Sequence, residues 1–429
     1  GGYGGVIYLE PSTLRYGIFH IMNCNFIDNS AKTGNGGAIY YDNYVPGPTH
    51  FQLYIMHTIF DGNSAWEGGA LLLKSITFIS VHQCTFKHNH QRRDYWGAHR
   101  SGGALFLRNV KNFTISFCFF AYNMADMQGG CLSFSHINYG SILSSLFYSN
   151  RALNKAAVIY VTSSNRLVNV FCKFVYNIAA PKNIGYLYIS DLYLGGVGYI
   201  RDFNYISYYH CTFVNNTANN GSALNIFMAY PMSWKGRTMI YNSSFTNNNA
   251  VGSGAVMLHS IDHALLCLCN FSHNFATYGS SISLVFSAVD VVHSKFKNNT
   301  SQSKGGVLFF KSYKQVTLSH NLFLNNRAGI SGGVLASEQL GSLLIIWSSK
   351  FVNNTSKLGA VIQLVQTSKF ESRNNCFISN TASERGGVLH LKSKTRFYYI
   401  EVENHNSLFY ENSATNGGVF FMENVRSID

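Results

Sequence analysis

Three kinds of residue in this sequence have types and spacings that could do chemistry: acids, cysteines, and clusters that mix basic with aromatic side chains. Cleaving a glycosidic bond needs two carboxylates held across it, or an acidic group that binds calcium beside a base. The chain holds only 19 Asp and Glu, and they are scattered. Asp28 and Asp61 fall near equivalent points of a repeat with no third acid behind them. Glu401 and Glu403 share one strand face, where solvation suits them. No Ser-His-Asp spacing, phosphate loop or metal-ligand motif stands out. The chain is therefore read as a non-enzyme with no catalytic, cofactor or metal site.

The nine cysteines are an odd count. Six of them, Cys24, Cys84, Cys118, Cys172, Cys211 and Cys269, stand two residues before a phenylalanine. A column of this kind reads as buried thiols acting as small hydrophobes, with a disulfide framework as the alternative. Cys267 and Cys269 are expected to share a strand face and make a poor metal pair alone.

The most site-like stretch is Lys87 to Arg100, read as an enlarged loop that carries His88, His90, Arg92, Arg93, Tyr95, Trp96, His99 and Arg100. Basic and aromatic groups together suit a glycan or an acidic protein surface; the alternative is a solvated insertion. A second insertion, Tyr186 to Tyr208, is rich in tyrosine and includes Tyr193 and Tyr199. Exposed tyrosines favour interfaces, although an extra strand pair would also use them. Asn-x-Ser/Thr sequons add a modification chemistry. Asn112, Asn220, Asn242, Asn298 and Asn353 are the glycosylation candidates, while the sequon residues Asn299 and Asn354 are committed to the repeat.

The elements that must position these residues come from that repeat. Phe-x-x-Asn occurs fourteen times, from Phe26/Asn29 to Phe409/Asn412, mostly at spacings of 25 to 28 residues and otherwise of 32 to 39. Two residues after the Asn stands a small residue, such as Ala31, Ala65 or Ala125, with Gln91 as the exception. A glycine step then leads into an apolar strand, as in Gly36-Gly37-Ala38-Ile39 and Gly306-Val307-Leu308. A third element alternates apolar and polar residues, as in Phe51-Gln52-Leu53-Tyr54-Ile55, which is the strand period. No comparable stretch has helical periodicity.

Each unit is thus two or three short strands that cannot bury an apolar face alone. Winding the units into a coil buries it, strand on equivalent strand. The expected fold is all-β, a right-handed parallel β-helix of about 14 rungs, one domain over residues 1–429. Phenylalanines stack inside it. The motif asparagines are expected at corners, in left-handed backbone.

Composition agrees. Hydrophobic residues make up 46%, ample for a core, and charged residues only 12%. The net charge of +13 favours anionic partners, though the basic residues form no long run. No apolar run of about 18 residues crosses a membrane. Both ends look like the middle of a repeat, so the chain is expected to be an internal segment of a longer surface protein, with any membrane association made by other parts.

Alternating Gly-Gly-Ala-Ile/Leu and Phe-x-x-Asn-Ser motifs resemble the repeats of the chlamydial polymorphic outer membrane proteins. The resemblance covers Gly4 to Phe420. It implies an autotransporter-like, β-helical passenger on the cell surface, acting in adhesion. The carboxy-terminal membrane barrel of that family is not in this segment, and similar repeats occur in surface proteins of single-celled eukaryotes, ciliates among them. The expected function is therefore an extracellular structural or adhesive β-helix whose partners are cell-surface or extracellular proteins and anionic glycans rather than nucleic acid. The alternatives are a cell–cell recognition subunit of a protist surface complex and a polysaccharide lyase or hydrolase.

Overall fold

The computed structural model describes residues 4–9, 16–43, 50–93, 101–179, 195–229, 236–393 and 400–423. Contacts group the chain into two compact units, essentially Gly1–Asn219 (unit 1) and Lys235–Asp429 (unit 2). Each unit is a parallel β-helix, and no helix occurs among the described residues. Every rung contributes to three sheets. A three-residue strand centred on the motif Phe builds the first, which we call the Phe sheet. The small residue after the Asn lies on the second. The glycine-step strand and the alternating strand share the third, a broad sheet.

The Phe sheet shows why the motif repeats. In unit 1 its strands run from Asn25–Ile27 to Thr212–Val214, and in unit 2 from Ser244–Thr246 to Leu408–Tyr410. The phenylalanines pair in register, Phe26 with Phe60 and Phe86 with Phe120. Their rings stack nearly parallel, 4.7 Å apart at Phe60/Phe86 and 4.5 Å at Phe245/Phe271. Strand spacing in a sheet is about 4.8 Å, so identical rings on adjacent strands meet at stacking distance.

The motif asparagines form a second ladder, and here the structure corrects the sequence reading. The left-handed residue is the one before the Asn: Asp28, His88, Tyr122, Tyr176, Asn298 and Asn353 all have φ between 50° and 57°. That corner turns the Asn side chain inward. The Asn150 backbone N–H and Nδ2 both donate to Asn177 Oδ1, at 3.0 and 3.1 Å. Asn150 Nδ2 also donates to the Phe120 carbonyl at 3.0 Å, and Asn150 Oδ1 accepts from Asn123. Only a short side chain with both an amide N–H and a carbonyl meets all these demands. Asn299 and Asn354 belong to the same ladder in unit 2 and are fully buried.

A second left-handed column precedes the Cys/Ser/Thr/Asn position, at Phe117, Phe171, Leu268 and His293 for example. It too turns the next side chain inward. Cys118 N–H donates to Ser145 Oγ at 3.2 Å, and Ser294 N–H to Asn321 Oδ1 at 2.8 Å. All nine cysteines are free. Cys267 and Cys269 do not share a face. Leu268, with φ of 56°, breaks the alternation, leaving Cys267 half-buried and Cys269 buried. Burial pushes the Cys269 thiol up to about 12, and that of Cys131 well above its ordinary value.

The glycine pairs have two separate jobs. The first glycine is left-handed, as Gly36 is at φ 65°. The second lets two backbones touch, since a Cβ on Gly37 would lie 2.0 Å from the Gly69 carbonyl oxygen. Gln91, which replaces a small residue, is buried because its amide is used. Its Nε2 donates to the Arg92 carbonyl and its Oε1 accepts from Met127 N–H.

Candidate recognition surfaces

The expected loop Lys87 to Arg100 begins inside the array. Lys87 ends the strand Thr85–Lys87, and His90–Gln91 is a strand of the small-residue sheet. His88 Nδ1 lies 2.8 Å from Asp61 Oδ1, and the ring stacks on Tyr122 at 5.4 Å. His90 Nε2 lies 2.9 Å from Asp126 Oδ1, while Asp126 Oδ2 accepts the Arg93 backbone N–H. Arg92 Nη2 donates to Ser30 Oγ and to the Ala31 carbonyl. These side chains brace neighbouring rungs, and the structure gathers them round one edge of unit 1. Tyr95, Trp96 and Arg100 of the same proposal, and Tyr193 of the next, lie outside the described residues.

Tyr199 is a correction. It was expected to be exposed on an insertion, and it is buried. Gly198–Tyr209 is a twelve-residue strand paired with Ile159–Val170, interrupted by left-handed backbone at Asp202 and Ser163. Tyr199 stacks on Tyr160 at 5.6 Å, with Lys155 Nζ 5.2 Å over its ring. The tyrosine-rich sequence there serves strand packing: Tyr208 is buried, and Arg166 lies over the Tyr205 ring.

Among the glycosylation candidates, Asn242 and Asn353 are exposed at left-handed corners, and Asn298 is half-buried at one. Asn298 Nδ2 lies 3.0 Å from His273 Nε2. Asn112 sits half-buried at the start of a strand, and Asn220 Oδ1 accepts the Ser253 N–H.

The acid pair Glu401 and Glu403 holds Lys369 Nζ at 2.7 and 2.6 Å, and Glu371 is 3.2 Å from the same nitrogen. These carboxylates hold the Lys369 ammonium above its ordinary range, Glu401 most strongly. The cluster is a salt-bridge network. Among the described residues no group of three or more His, Cys, Asp or Glu could hold a metal ion.

The surface that sequence reasoning missed is aromatic. Along the Phe sheet of unit 1, Phe117, Tyr122, Phe171 and Tyr176 stand at left-handed corners with φ of 53° to 57°. Phe117 is 59% exposed and Phe171 58%, and each tyrosine is 49% exposed. Tyr148 links the two tyrosines, with ring centroids at 5.6 and 5.8 Å. Phe171 also stacks on His210 at 4.9 Å. The available signal was position: each is three residues before, or two after, a motif phenylalanine.

The profile of the chlamydial polymorphic membrane protein repeat matches residues 23–42, the segment from Asn23 through Phe26/Asn29 and Gly36-Gly37 to Asp42. That of the right-handed β-helix region matches residues 183–341. The fold is a right-handed β-helix, and one stretch of it is similar to the polymorphic membrane protein repeat. It is also similar to metabotropic glutamate receptor-like protein Q of Dictyostelium discoideum, at 24% identity over 403 residues. The match takes in 93% of this chain and 29% of that relative, so the chain spans under a third of the relative's length. No solved structure matches.

Proposed function

We propose that the chain is a non-enzymatic recognition segment of an extracellular surface protein, and that it displays ladder-built faces to a protein on another surface. The aromatic strip of unit 1 carries this reading. A non-glycine residue in left-handed backbone costs roughly 1–2 kcal/mol, and a bulky ring there is unusual. Most other rungs place Asn, Ser, Gly or His at these corners, with Asp28, Gln83, Leu268 and Glu411 as the departures. Four strained and exposed aromatic residues, two in the Phe120 rung and two in the Phe174 rung, with Ser144 and Ser149 at the corners of the rung between, therefore contribute nothing to folding that Asn would not, and strain retained at a surface points to use. Aromatic side chains are the usual anchors of protein interfaces. The polymorphic membrane protein repeat and a relative whose name is receptor-like both support a cell-surface setting. The Dictyostelium relative also favours a second reading, recognition between protist cells.

The test is paired. Phe117→Asn and Phe171→Asn should leave the denaturation midpoint unchanged or raised, and should abolish saturable binding of the fluorescent chain to cells. Lost stability with unchanged binding would make the strip structural. Incubation with neutral and acidic glycans should show no turnover; released oligosaccharide would establish an enzyme instead.

A further inference from the structure

Unit 2 carries a cleft of about 280 Å³ on its small-residue sheet. The strands Arg327–Ala328, Thr355–Leu358 and Thr381–Arg385 run parallel there, with Arg327 opposite Thr355 and Thr355 opposite Thr381. Small residues at the strand centres and a register shift after Ser356 leave the space open. Its polar lining is Arg327, Thr355, Ser356, Lys357, Thr381 and Ser383, with the Ser356 hydroxyl donating to the Leu358 and Gly359 carbonyls.

Both cations are exposed, and neither forms an ion pair among the described residues. Three lysines of unit 2 are paired by contrast: Lys304 with Glu338 at 2.6 Å, Lys369 with Glu403 at 2.6 Å, and Lys392 with Glu423 at 3.3 Å. Glu384 is the one carboxylate near the cleft on these three strands, and it bridges to neither Arg327 nor Lys357. Around the corner, on the Phe sheet of unit 2, stand Lys295, Lys297 and Lys350, also without ion pairs among the described residues. His293 and His320 flank them, 4.7 Å apart. From Ser244–Thr246 to Cys376–Ile378 no strand of this sheet holds an Asp or Glu. Lys295, Leu322 and Lys350 are in register, so the two lysines are roughly 10 Å apart, two strand spacings.

A guanidinium, an ammonium and three hydroxyls in one cleft form a donor set for a sulfate or carboxylate flanked by hydroxyl groups. Arginine binds such planar or tetrahedral anions through paired N–H bonds. The lysine row beyond suits further anions at intervals. Among the described residues no aromatic side chain lines the cleft, as a platform for unpaired bases would require.

We propose that this cleft holds one anionic group of a linear acidic polysaccharide, and that the chain continues over the corner onto Lys350 and the Lys295–Lys297 row. The inference does not depend on the aromatic strip of unit 1, and either can fail alone.

The test uses the full chain, with heparin as the sulfated probe and hyaluronan as the carboxylate probe. Binding is measured by calorimetry at physiological salt, with Arg327→Ala, Lys357→Ala and the double variant. Wild type should bind at least one polysaccharide. Each single variant should weaken binding about tenfold, the double variant more, and Lys173→Ala in unit 1 should change it less than twofold. Neither cleft cation forms an ion pair among the described residues, so unchanged circular dichroism is expected. Absence of polysaccharide binding, or variants that bind as wild type does, would overturn the proposal. Equal affinity for single-stranded DNA, or for vesicles of anionic phospholipid, with the same loss in the variants would overturn it too, by showing unselective charge.

Discussion

A motif asparagine inside the ladder works as a four-way connector. Asn150 receives two bonds through Oδ1 and gives two through Nδ2, all of them buried. Asn150→Ala should therefore cost about 2–3 kcal/mol, because it strands the buried partners as well as losing its own bonds. Ser149→Ala, at the neighbouring corner, is the control for chemical denaturation. Equal midpoints for the two variants would contradict the ladder. His390 makes a second residue-scale prediction. It is buried, and burial outweighs the pull of Glu423 to hold its pKa below the ordinary 6.5. His259 is lowered the same way. A depressed folded-state pKa means that the unfolded chain binds the proton more readily. The stability contribution is thus complete above pH 6.5 and lost as pH falls below it. Denaturation midpoints should drop between about pH 7 and pH 5, and less in His390→Gln; identical profiles would remove His390 as a cause. The motif asparagines and stacked phenylalanines were legible because each recurs at one place. Tyr199 was not, because an exposed and a packed tyrosine look alike until the strand Ile159–Val170 is laid beside it.

At the scale of the element, the glycine step and the two left-handed corners define a rung. Ala156-Ala157 is the informative departure, since Ala156 takes the left-handed place of glycine at φ 56°. Ala156→Gly should stabilise the chain by roughly 0.5–1 kcal/mol, the relief of left-handed strain less the entropy of a more flexible unfolded chain. Gly306→Ala should do the opposite and cost about 1–3 kcal/mol, since its Cβ would meet the Gly333 carbonyl oxygen at 2.0 Å. Thermal denaturation of the two variants gives both signs, and a shift of the same sign in both would refute this division of labour. The strands themselves could be read from alternation. Their corners could not, because the left-handed turn falls one residue before the marked Asn, on side chains as different as Asp28, His88 and Tyr176. The same displacement hid the aromatic strip.

In the molecule as a whole, each rung is stabilised by the rungs it touches, so damage should stay local. Asn326→Ala should speed amide exchange in the strands around Phe296 and Phe351 and leave those around Phe120 unchanged. A uniform rise along the chain would show one cooperative core instead. What the sequence by itself determined is the architecture: a repeated Phe, Asn, small residue and glycine step has no way to bury its apolar side except by stacking on its own copies. Only the tertiary structure decided which side chains remain for recognition. The braced His88, His90 and Arg92, the packed Tyr199, the exposed Phe117 and Phe171, and the exposed Arg327 and Lys357 differ in what lies on the adjoining strands. Those neighbours are about a repeat away in sequence. Exposure and pairing are properties of stacked strands, and no window along a single strand contains them.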